Sequence, residues 1–199
     1  MAGEGIAVRL LRMTFFILFS IIIIYACGNQ PQQKTFKEKI AECENTIYAL
    51  DSDISAIHEE YFSAESKAPT HSPKEMVSYY QNNVIPILIK AEAKSNDAAN
   101  TIENLMNKIQ SDSTYSDSQK KWFSSFLGQM KKVYSFRAEY YSTTLLATKN
   151  IGTNTTLVKA LVEEAEGKKG ASDASRVLAA ALLSAVKNPA AANGDADQK

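Results

Sequence analysis

The chain has 199 residues, of which 22 are basic, 22 acidic and 45% hydrophobic, and it contains 2 cysteines. A net charge of zero gives no electrostatic drive toward nucleic acid. Two cysteines exclude a disulfide-stapled scaffold, and the length suits one domain with a core of its own.

The first element is an apolar run from Phe15 to Ala26 that ends on Cys27 and follows Arg9 and Arg12. The two arginines hold the amino end on the cytoplasmic side of a membrane. Met13 to Ala26 measures about 21 Å as a helix. A bilayer core asks for roughly 20 apolar residues, so the run is short for a permanent span and right for the apolar region of an export signal. The quartet Ile24-Tyr25-Ala26-Cys27 resembles a lipobox, and the segment as a whole is similar to the signal of bacterial lipoproteins. That resemblance covers about the first 28 residues. It implies that residues 1–26 are removed and that Cys27 is lipidated as the first residue of the mature protein. It also implies, with Gly28 rather than Asp after the cysteine, an outer-membrane location facing the periplasm. An uncleaved signal anchor, or ordinary cleavage after Ala26, is the rival reading. Loss of Glu4, Arg9 and Arg12 leaves a body within one charge of neutrality.

Residues 27–35 are the lipidated cysteine and a polar tether. From Phe36 the apolar residues follow a heptad: Ile40, Cys43, Ile47, Leu50, Ile54, Ile57 and Tyr61. This predicts a helix over 36–66, stopped by Pro69 and Pro73. Ser72-Pro73-Lys74-Glu75 is a helix start, and the second helix should run to Ile109. Its seam reads Val77, Tyr80, Val84, Ile87, Ala91, Ser95, Ala98, Ile102, Leu105 and Ile109, with a one-residue stutter between Ala91 and Ser95 and a kink at Pro86. Ser116 and Gln119 form a second capping-box pattern opening a helix over 117–149, which Asn150 and Gly152 end. Thr153 or Asn154 can cap a fourth segment, 155–166. Gly167-Lys-Lys-Gly170 is expected to interrupt it before a last helix over 173–187. The apolar stretch Val177–Val186 is too short to span a membrane and is expected to bury against its neighbours. Residues 188–199 are small and polar and read as a disordered tail.

No segment alternates like a strand. The expected fold is therefore all-α: an elongated antiparallel helical bundle over 36–187, with three long helices and a broken C-terminal segment.

The chemistry-bearing residues are sparse. His58 and His71 have no Cys, His or carboxylate partners at ligand spacing. Asp112 to Asp117 fails as a calcium loop for want of the central Gly and the final Glu. No nucleophile elbow, P-loop or dinucleotide fingerprint occurs. No metal, cofactor or catalytic residue is expected. Cys43, on the seam, reads as a buried small residue; an intermolecular disulfide across a homodimer is the sharper alternative. Trp122, Phe123, Tyr140 and Tyr141 put large rings on more than one face of the third helix and form the expected partner surface. The function these features suggest is non-enzymatic: a lipid-anchored component of an envelope assembly such as a secretion or conjugation machine. Its partners would be the membrane, through acyl chains on Cys27, and an envelope protein; homo-oligomerisation is compatible with the seam. An immunity or exclusion lipoprotein, or a binder of a small apolar ligand, is the alternative.

Overall fold

A computed structural model describes residues 34–187. The lipobox segment with Cys27, most of the tether and the tail 188–199 lie outside the described residues. The chain divides into two compact units, 1–40 and 41–199. Of the first, residues 34–40 are described. They hold a capping box: Thr35 Oγ1 accepts from the Glu38 backbone N–H at 3.3 Å, and Glu38 Oε2 accepts from the Thr35 N–H at 2.7 Å. That arrangement opens helix α1, Phe36–Glu65.

The second unit is a four-helix bundle, and the described residues contain no strand. After α1 come α2, Pro73–Tyr79; a π-helical segment, Tyr80–Val84; α3, Ile85–Ser111; α4, Asp117–Lys149; and α5, Thr155–Lys187. The starts follow the sequence signals. Ser72 Oγ accepts from the Glu75 N–H, with Pro73 in the first turn. Ser116 and Gln119 complete a reciprocal capping box. Asn154 Oδ1 accepts from the Leu157 N–H at 3.0 Å. At the end of α1 the Ala64 carbonyl accepts twice, from the Lys67 N–H at 3.1 Å and from Tyr79 Oη at 2.8 Å.

Cross-links between helices fix the topology. Lys90 with Glu60 and Lys94 with Asp53 make α3 antiparallel to α1. Lys131 with Glu103 joins α4 to α3, and Lys168 with Glu139 joins α5 to α4. Arg176 with Asp51 and Lys187 with Glu44 run α5 antiparallel to α1. Across the diagonal, Tyr134 reaches the Ile47 carbonyl and Tyr141 reaches His58, so α1 and α4 are parallel. The order is up-down-up-down, as short connections require.

The α1–α4 diagonal buries Ile47, Ile54, Ile57, Phe123, Leu127 and Tyr134. The α3–α5 diagonal buries Leu88, Ile102, Ile109 and Leu161 together with the small Ala91, Ser95, Ala98, Ala165, Ser172 and Ala179. Large and small side chains thus share the interior, which is how a core reaches crystal-like density.

Three expectations are corrected. First, Leu88, not Ile87, is the fully buried residue after Val84. With Leu88 the seam 84-88-91-95-98-102 is an unbroken heptad, and no stutter falls at 91–95. The extra residue sits upstream, in the π-helical segment, where Ile85 N–H reaches back to the Tyr80 carbonyl. Pro86 is the cause: it has no N–H to offer, and its ring clashes with the carbonyl four residues back, so the turn before it widens. Second, α5 is one helix, and Gly167 and Gly170 do not break it. A Cβ added at either would meet nothing within 4 Å, so these glycines weaken the helix without a steric purpose, and packing against α4 carries it through. Third, the stretch from Val177 is not all buried: Val177 and Leu178 are 68% and 54% exposed, because the seam of α5 passes through Ser172, Ser175 and Ala179 instead.

Candidate functional site: the crevice between α1 and α5

Three of the four aromatics expected to form a partner surface are core. Phe123, Tyr140 and Tyr141 are buried, and half-buried Trp122 donates its Nε1–H to the Leu182 carbonyl at 3.3 Å. Tyr140–Tyr141 and Trp122–Phe126 ring contacts at 5.0 and 5.2 Å hold them there. Cys43 is buried as well, and burial pushes its thiol pKa up to about 12, the profile of an inert packing cysteine.

The chemistry the bundle does gather lies where α5 meets α1. Asp51 is its centre. The Arg176 guanidinium grips both carboxylate oxygens, at 2.6 and 2.7 Å. Tyr134 Oη donates to the same carboxylate at 3.1 Å, and Arg137 stands 3.8 Å away. Burial opposes ionisation of Asp51, but these donors outweigh it and hold the carboxyl below the ordinary carboxylate range. Burial, then the Asp51 charge, raises the Tyr134 phenol above its usual value. Two turns along α1, His58 Nδ1 lies 2.9 Å from Tyr141 Oη, with the Phe62 ring edge-on at 4.5 Å. Burial lowers the His58 pKa, and the nearby Arg137 and Lys169 charges lower it further. The imidazole is therefore held toward its neutral form.

Three cavities follow one another along this contact. At one end a groove of about 480 Å³ lies between Ile47, Tyr48, Phe126, Met130, Ala180 and Leu183. In the middle is a polar cleft of about 70 Å³ lined by Ser55, His58, Arg137, Tyr141, Lys169 and Asp173. At the other end a trough of about 400 Å³ runs between Phe62, Tyr80, Ile151, Val158 and Val162, with Tyr140 and Lys169 shared with the cleft. The contact between the first and last helices is thus open in three places. A row of openings with charged and apolar side chains side by side can receive an elongated molecule with one charged group.

His58 Nδ1 is engaged by a tyrosine, and among the described residues no group of three His, Cys, Asp or Glu side chains could hold a metal. Sequence reasoning missed Asp51, Arg137, Lys169 and Arg176, which stand up to 125 positions apart and form no local motif. One signal was present: Arg137 and Arg176 are the only arginines after Arg12, every other basic residue being lysine. Arginine is preferred where a partly buried carboxylate must be gripped in a fork. Comparison of the chain with protein-family models, with curated proteins and with solved structures gives no match.

Proposed function

We propose that this chain is a lipid-anchored helical-bundle protein of the bacterial cell envelope that works by binding a partner rather than by catalysis. The observation that carries the reading is the apolar run that ends on Cys27 behind Arg9 and Arg12. Two further facts agree with it. No helix among the described residues is long and apolar enough to cross a membrane; in this reading acyl chains on Cys27 supply the attachment, and more than one chain anchors far more firmly than one. In addition, Tyr48, Val177 and Leu178 are exposed at 77%, 68% and 54%. They offer apolar contact area for an envelope protein in place of the buried Phe123, Tyr140 and Tyr141.

Expression of the full chain with a palmitate analogue tests the anchor. The parent protein incorporates label and fractionates with membranes, and Cys27→Ser loses label and is released. A substituted protein that stays in the membrane with its first residues intact points to a signal anchor and ends the lipoprotein reading. Affinity capture from solubilised envelopes, with and without Tyr48→Asp and Val177→Asp, tests the partner: a protein recovered by the parent and lost with both substitutions is the expected result.

A further inference from the structure

The cleft and the trough adjoin, sharing Tyr140 and Lys169. Their linings differ in charge. The cleft places the Arg137 and Lys169 cations beside the hydroxyls of Ser55 and Tyr141, with Asp173 as its one carboxylate. Both cations are loosely committed. Lys169 lies 3.8 Å from Asp173. Arg137 lies 3.8 Å from Asp51, whose oxygens are already gripped by Arg176 at 2.6 and 2.7 Å. At about 70 Å³ the cleft holds a small charged group, since a water centre alone needs only about 10–15 Å³. The trough sets Phe62, Ile151, Val158 and Val162 beside Thr144, Thr148 and two carboxylates, and along α5 it follows Val158 to Lys169, about 16 Å at the helical rise. Its carboxylates, Glu65 and Glu166, disfavour an anion there, so they set a direction: acid group in the cleft, apolar body in the trough. The groove at the far end lacks such a cation, because the Arg176 fork is filled by Asp51 and Glu44 is paired with Lys187.

We propose that the adjoining cleft and trough between α1 and α5 bind a single-chain carboxylic amphiphile of the fatty-acid class. Its carboxylate sits between Arg137 and Lys169, and its chain lies over Phe62, Ile151, Val158 and Val162. The charge complementarity of the closed end selects this occupant over a neutral apolar molecule. The trough also selects it over a folded segment, because the polar end has room for a head group and not for a helix.

The test uses the full chain in a non-ionic detergent and a dodecanoic acid probe carrying a diazirine at the end of its chain. Saturable crosslinks on peptides covering 147–166 are expected. Dodecanoate should displace them at least tenfold better than dodecanol. Lys169→Met, at a half-exposed position, should reduce labelling about tenfold with helical circular dichroism unchanged. Val162→Asp, on the exposed rim of the trough, should abolish labelling and keeps the test decisive if the first variant misfolds. Equal competition by dodecanol, crosslinks confined to 44–51 and 179–183, or labelling untouched by both substitutions would overturn the proposal. So would capture of an envelope protein's acidic helix that the probe does not displace. Loss of acylation at Cys27 leaves these outcomes unaffected, so the two proposals fail separately.

Discussion

Helix α1 has two antiparallel neighbours, α3 and α5, and ion pairs cross both contacts. Toward α3 the pairs are Glu60–Lys90 and Asp53–Lys94, with every side chain about half exposed. Toward α5 the main pair is Asp51–Arg176, bidentate, less exposed and reinforced by the Tyr134 hydroxyl. The same chemistry does different work on the two sides. Exposed pairs contribute little because water screens them and long side chains lose entropy. A partly buried carboxylate cannot be left alone without a desolvation penalty. The α5 contact, which also carries the three cavities, is therefore pinned by one polar cluster rather than by continuous apolar packing.

Breaking that cluster should have the largest effect. Arg176→Met strands the Asp51 carboxylate, and we expect a loss of about 2–3 kcal/mol, read as a drop of roughly 5–10 °C in Tm for a chain of this size. Adding Asp51→Asn should restore part of it, and strict additivity in urea unfolding would show that the two do not act as a pair. The opposite sign is expected from Gly167→Ala and Gly170→Ala. Both sites are helical and open, so each should gain about 0.5–1 kcal/mol. Gly152→Ala is the control: at φ +82 its Cβ would meet Val77 Cγ2 at 3.2 Å, and it should destabilise. Acidification comes next. His58 has a folded-state pKa below its ordinary 6.5, so between the two values the unfolded chain binds the extra proton. Its contribution is complete above pH 6.5 and is lost as the pH falls through that window. Chemical denaturation at pH 7 and pH 5 should show the loss, and His58→Gln should flatten the slope. Smallest of all, Lys94→Met on the α3 side should leave the unfolding midpoint where it is; a clear shift would erase the contrast between the two contacts.

The α1 seam was legible because Cys43, Ile47, Leu50, Ile54, Ile57 and Tyr61 alternate steps of four and three, and the helix starts were legible because capping is local chemistry. The continuity of α5 was not. Two glycines and two lysines argue for a break, and what overrides them is tertiary: buried Leu161, Ala165 and Ala179, and the Ser172 hydroxyl bonded to the Val133 carbonyl of α4. The choice between Ile87 and Leu88 was likewise invisible, because both are apolar and the phase is reset by Pro86. The aromatic quartet was misplaced for a related reason: a helix inside a four-membered bundle meets neighbours on two sides and across the diagonal, so rings on several faces can all be interior. The Asp51 cluster depends on residues far apart in the chain, and the scarcity of arginine was its only trace.

The widened turn at Tyr80–Val84 reaches beyond local geometry. A turn of this kind absorbs one residue without a loop, so the arm formed by α2 and α3 is out of phase with itself by a single position. Any alignment of this chain with a distant relative should place a one-residue gap inside that helix. A scoring scheme that forbids gaps in helices would misregister α2 against α3 by one position.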